Sequence, residues 1–368
     1  MDFDRGNLNG GNMGMKKREF GLDILRAFAV IFVISVHFFL NNGFYYQKME
    51  GFSMWAAGCF RWLFFTCVPL FLLITGYLRA EDRFSKKYYC GLFRIVISWL
   101  IISLINIGFR IGYYRTEKSV VQWIGDILDF KAANYSWYVE MYIGVFLLLP
   151  FINQAFESVG TKKGRLLMTA SISALTFLPS VTNGWIVGDS IWNPMPNYWT
   201  SLYPFGYYVI GCYIRKYRPK LPSWVCLLMV GVLCIFKGTL TYITADGGNF
   251  GDGVGGGYSD LFVCLTSVLI FLAFYRVSDK NFESRPARIG AGVIKFVAAV
   301  SFDAYLISWV FDVPLYERCE GLIKPGTYLQ YYFLVCVPVI TLSVLAAWPI
   351  SRISGKLSGI LKKALKVN

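Results

Sequence analysis

The chain contains one histidine, His37, eleven positions after Arg26 and fourteen after Asp23. On an α-helix eleven residues make about three turns, so Arg26 and His37 share a face about 16 Å apart, and the three-residue spacing lets Asp23 and Arg26 meet as an ion pair. Such a stripe carries a charge-binding group at one end and an imidazole at the other. An imidazole is the side chain best matched to proton transfer near neutral pH, so any such chemistry in this chain has His37 to use. Two plainer readings stand beside this one. The Asp23–Arg26 pair can fix how a helix inserts, and His37 can simply hydrogen-bond a neighbouring helix.

Other ionisable groups sit within apolar sequence: Arg61, Arg94, Lys237, Asp260, Lys295, Asp303 and Asp312. At bilayer depth each costs at least ~2.5–3.5 kcal/mol, so such groups pair, face water or work. Arg94 and Lys295 lie near enough to span boundaries to snorkel, whereas Arg61 and Asp303 lie deeper. Glu140 follows Ser136-Trp137-Tyr138 at about the depth expected for His37. A carboxylate there can orient or charge-stabilise the imidazole, or serve an unrelated hydrogen bond.

The elements that position these residues are legible in composition. Hydrophobic residues make up 56% of the 368 positions and charged residues only 16%, well below the ~25% of a soluble domain. An all-α, polytopic membrane protein follows, with about ten spans near 20–40, 53–78, 89–112, 137–153, 165–182, 198–214, 222–243, 259–276, 290–312 and 328–350. The formal net charge of +14 is distributed by connection: 24 basic residues fall in every second connection and six in the others. The positive-inside rule then places both termini in the cytoplasm, N-in and C-in, and explains the charge without nucleic acid. The expected organisation is a cytoplasmic tail over 1–18, a membrane domain over 19–350 and a basic cytoplasmic tail over 351–368.

Lys16-Lys17-Arg18 before an apolar run suggests a signal peptide, but Asp23 and Arg26 interrupt the run and no small-residue cleavage site follows His37. The run is therefore expected to stay as the first membrane helix. The nine cysteines show neither CxxC spacing nor clustered histidine, which favours structural thiols and no metal site. Ala245-Asp246-Gly247-Gly248-Asn249-Phe250-Gly251 lacks the Gly-Lys-Ser/Thr of a phosphate loop and reads as a flexible outer loop. The irregular outer connections 113–136, 183–197 and 244–258 are the natural places to cover or admit a substrate.

Arg18-Glu19-Phe20-Gly21-Leu22-Asp23-Ile24-Leu25-Arg26-Ala27, continuing to Ser35-Val36-His37, resembles the first-helix pattern of the membrane-bound acyltransferase-3 family, an Arg separated by ten residues from a His. Val68-Pro69-Leu70-Phe71-Leu72-Leu73-Ile74-Thr75-Gly76-Tyr77-Leu78 is similar to that family's second-span motif. Weaker similarity appears at Phe93-Arg94-Ile95, at Trp137-Tyr138 with Pro150, and at Ser301-Phe302-Asp303-Ala304-Tyr305-Leu306-Ile307-Ser308, where many members carry His in place of Ser308.

The resemblance implies a ten-helix O-acyltransferase of the bacterial plasma membrane, moving an acyl group, most often acetyl, from cytoplasmic acyl-coenzyme A to a glycan hydroxyl. It implies no tightly bound cofactor, with acyl-coenzyme A as donor substrate and a carbohydrate or glycolipid as acceptor. His37 would act as general base or carry the acyl group, with Arg26 and Glu140 beside it in the catalytic set. Asp23, Arg61, Arg94, Trp137, Asp303 and Tyr305 would contact substrate, and Arg61, Thr75 and Tyr305 are the chemical candidates for an oxyanion donor. The competing reading is a transporter of a small polar solute, since buried Arg, Asp and Glu also line permeation paths. A receptor or assembly subunit without chemistry is the third reading.

Overall fold

In the computed structural model the described residues are 18–366 apart from 188, 254–255, 281, 320 and 325. The expected tail over 1–18 lies, except for Arg18, outside them. The helices are α1 (Phe20–Asn41), α2 (Gly51–Phe64), α3 (Cys67–Arg79), α4 (Lys86–Tyr89), α5 (Leu92–Gly112), α6 (Val120–Leu128), α7 (Trp137–Ser158) and α8 (Lys162–Phe177). There follow α9 (Pro179–Thr182), α10 (Tyr203–Tyr217), α11 (Ser223–Ala245), α12 (Leu261–Phe274), α13 (Arg285–Ile307), α14 (Trp309–Cys319) and α15 (Tyr328–Ala364). A small antiparallel hairpin, β1 (Trp185–Val187) and β2 (Ser190–Trp192), pairs Trp185 with Trp192 in the connection before α10.

Helix stands at each of the ten places where a span was expected, and the chain is an all-α multi-pass membrane protein. Among the described residues seven stretches are long and apolar enough to cross a bilayer: Phe20–Asn41, Gly51–Arg79, Lys86–Gly112, Trp137–Ser158, Ser223–Ala245, Arg285–Ile307 and Tyr328–Ala364. The helices α8, α10 and α12 are 16, 15 and 14 residues long, so at 1.5 Å per residue each spans only about 21–24 Å. Leu104 of α5, Leu167 of α8, Leu228 of α11 and Phe333 of α15 are exposed, as expected where lipid rather than water meets the surface.

Three expected elements differ in shape. The span at 53–78 is two helices, because Pro69 has no N–H and its ring crowds the carbonyl of Phe65, which ends α2 at that point. The span at 290–312 ends at Ile307, and the chain turns at Ser308 into α14. The last helix passes position 350 and runs to Ala364, carrying much of the basic C-terminal segment as helix.

The core is organised around α1, which is buried along most of its length and packs against α3, α12, α13 and α15. Close approach of α3 and α10 depends on Gly76 and Gly211. A Cβ on Gly76 would lie 2.1 Å from the Tyr208 carbonyl oxygen, and one on Gly211 would lie 2.4 Å from that of Leu73. Gly76 of the Thr-Gly-Tyr motif is thus a packing requirement. The Gly-rich connection after α11 is pinned: Met49 N–H donates to Gly248 at 2.9 Å, and Phe250 is buried against Phe44, Tyr45 and Trp62.

Candidate active site

α1 carries Asp23 and Arg26 near its start and His37 near its end, as the spacing demanded. Asp23 is fully buried and accepts from Arg18 Nε at 2.6 Å and from Arg26 Nη1 at 3.3 Å. Arg18 Nη2 also donates to the Lys295 carbonyl at 2.9 Å, which ties the start of α1 to α13. Asp23 therefore orients Arg26 through a charge-assisted hydrogen bond. Arg94, at the start of α5, donates to Ser351 Oγ of α15 at 2.8 Å. Its charge also faces Asp303 of α13, which has Ser98 and Ser351 as further polar neighbours. Eight residues before Arg94, Lys86 Nζ donates to the Leu365 carbonyl that follows α15, at 2.8 Å.

Near the other end of α1, His37 is buried and stacks on Tyr135, ring centroids 3.6 Å apart at 21°. Its Nδ1 lies 3.8 Å from Asp312 Oδ2. The Tyr135 hydroxyl donates to that same oxygen at 2.7 Å and accepts from Asn41 Nδ2 at 3.1 Å. The Tyr316 hydroxyl donates to the other oxygen, Oδ1, at 3.3 Å. Tyr305 lies 6.3 Å from the imidazole centroid, and its hydroxyl donates to the Tyr135 carbonyl. Ser308 donates to the Tyr305 carbonyl at 3.0 Å and accommodates the turn that brings Asp312 to the cluster.

Glu140 does not join this cluster. It is exposed beside Trp137, where both line an open cavity of about 520 Å³ with Arg110, Asp126, Asn134 and neighbouring residues. The carboxylate beside His37 is Asp312. The cavity and the cluster nonetheless share one short segment, since Asn134 and Trp137 flank the Tyr135 that stacks on His37.

Arg61 is also buried. Its guanidinium carbon lies 4.0 Å from the Phe65 ring centroid and 4.2 Å from that of Trp62, and Nε donates to Tyr45 Oη at 3.0 Å. Cation–π contacts of this kind offset part of the loss of water. Of the three expected oxyanion donors, Thr75 and Tyr305 give their single hydroxyl proton to the carbonyls of Phe71 and Tyr135. Arg61 Nη1 has no hydrogen-bond partner. Lys237 and Asp260 form a buried pair at 2.7 Å, in which Asp260 also caps α12 through Phe262 N and Val263 N.

A family model described as an acyltransferase domain matches residues 19–348, from the residue before α1 to just past the middle of α15. The chain belongs to the acyltransferase-3 family. No curated protein and no solved structure matches it. Family membership makes the protein a membrane acyltransferase for groups other than aminoacyl, and the matched interval contains every residue of the His37 cluster. Sequence reading had missed Tyr135 and had left Asp312 as one buried charge among several. Both contacts depend on tertiary placement, with no fixed spacing from His37 to expose them.

Proposed function

We propose that the protein is an O-acyltransferase of a bacterial plasma membrane, moving an acyl group, foremost acetyl, from cytoplasmic acyl-coenzyme A to a hydroxyl of a glycan on or facing the outside. In this reading the ten helical segments all cross the bilayer, and both termini lie in the cytoplasm. The supporting observation is the sole imidazole of an acyltransferase chain, buried on α1 within a carboxylate–tyrosine cluster.

Arg26, oriented by Asp23, and Arg94 supply cationic groups to an anionic donor on the cytoplasmic side in this reading. The cavity beside Trp137 and Glu140 supplies an aromatic surface and hydrogen-bonding groups, the combination that suits a sugar acceptor. In the chemical step His37 takes the proton of the acceptor hydroxyl as its oxygen bonds to the thioester carbonyl carbon. The tetrahedral oxyanion then collapses, the C–S bond breaks, and the proton passes from the imidazolium to the departing thiolate. A two-step variant has the imidazole itself carry the acyl group before the hydroxyl arrives.

Purified protein in lipid nanodiscs, supplied with radiolabelled acetyl-coenzyme A and bacterial envelope glycans, tests this directly. Release of free coenzyme A together with label on the glycan is expected. Solute uptake into proteoliposomes without donor, combined with failure to turn over any acyl-coenzyme A, would replace the proposal with the transporter reading.

A further inference from the structure

We infer that Asp312 is the positioning residue for His37: it holds the proton on Nδ1 and thereby makes Nε2 the reactive nitrogen. The inference rests on the reading of His37 as the proton carrier. A neutral imidazole has one N–H and one lone pair, and the hydrogen bond made by one nitrogen fixes which atom keeps the lone pair. His37 Nδ1 is buried without a hydrogen-bond partner, and 3.8 Å away lies a fully buried carboxylate oxygen of Asp312. A small side-chain adjustment closes that gap, as catalytic hydrogen bonds are often long before substrate arrives.

The surroundings act on the carboxylate more than on the ring. Tyr135 donates to Oδ2 and Tyr316 to Oδ1, so Asp312 is fixed from two sides while lone-pair capacity remains for an Nδ1–H. Tyr135 also stacks on the imidazole face, and its backbone carbonyl is held by Tyr305. One tyrosine thus sets the plane of the ring and the position of the acceptor oxygen together. When Nε2 takes the substrate proton, the imidazolium forms beside the Asp312 carboxylate, which stabilises it. The titratable groups facing the ring are Tyr135, Tyr305 of α13 and Asp312 of α14, with Tyr316 on the far side of the carboxylate.

Because the chain has one histidine, protein made with ¹⁵N-histidine and a histidine-free affinity tag gives the Nδ1 and Nε2 resonances of His37 alone. Wild type should show Nδ1 protonated and Nε2 bare. Asp312→Asn should move the tautomer toward Nε2–H and lower kcat by about 10²–10⁴-fold, with KM for donor and acceptor nearly unchanged. Asp312→Glu should recover part of both signals. A wild-type spectrum with the proton on Nε2 overturns the inference even if Asp312→Asn fails to fold. So does a folded Asp312→Asn protein with wild-type tautomer, whether active or not. Loss of activity in His37→Gln beside full activity in Asp312→Asn removes this inference alone, while an active His37→Gln removes the underlying reading.

Discussion

Tyr135 lies flat on His37, ring centroids 3.6 Å apart, while its hydroxyl donates at 2.7 Å to the carboxylate of Asp312. Residues 98 positions apart in sequence are thereby joined to a third, on α14, through a single side chain. The stack and the hydroxyl can be separated by mutation. Tyr135→Phe keeps the ring and should fold, yet lower kcat by about tenfold, as expected when a hydrogen bond of ~1–1.5 kcal/mol is lost. Tyr135→Ala removes a buried aromatic and should cost ~3–5 kcal/mol of stability as well. Comparable melting temperatures for the two variants would show that the ring contributes little to packing.

The Lys237–Asp260 pair, at 2.7 Å and almost wholly buried, makes a prediction about stability. Lys237→Met leaves a carboxylate without its counter-charge and should destabilise the folded protein by ~3–5 kcal/mol. Adding Asp260→Asn removes that orphaned charge and should recover part of the loss, seen as a partial return of the unfolding midpoint. A single variant as stable as wild type would mean that water already reaches the pair.

How much of this was legible in the sequence can be judged from α1. Its start, its length and the shared face of Arg26 and His37 follow from local periodicity, and the structure places all three residues of the stripe on one buried helix. Hydropathy likewise located the helices, since burial in lipid selects composition over about 20 residues at a time. Breaks were harder. Pro69 and Ser308 lie inside runs that stay predominantly apolar on both sides, and hydropathy does not register a turn inside such a run. The partner of His37 was harder still: Glu140 was expected at that depth, but depth does not specify which way a side chain faces. Glu140 points to the open cavity, and the turn at Ser308 delivers Asp312 instead.

Orientation in the membrane is testable by fusion. A reporter placed within 276–288 should report the cytoplasm and one within 244–253 the outside, because the basic connections alternate. An opposite result at either place alone would overturn the crossing count, and reversal at both would invert the orientation.

Donor recognition should depend on Arg26 and Arg94. Arg26→Ala and Arg94→Ala are each expected to weaken acyl-coenzyme A binding by ~1.5–3 kcal/mol, the usual loss for a charged hydrogen bond. Isothermal titration on the purified variants measures this. Unchanged affinity in both would make Arg26 and Arg94 structural anchors through Asp23 and Ser351.

The most direct measurement is acyl transfer by His37→Gln. Glutamine keeps hydrogen-bonding capacity but cannot take the proton, so the account predicts a folded protein that binds acyl-coenzyme A normally and transfers almost nothing. With no second histidine in the chain to substitute, a His37→Gln protein that retains most of its transferase activity would contradict the account.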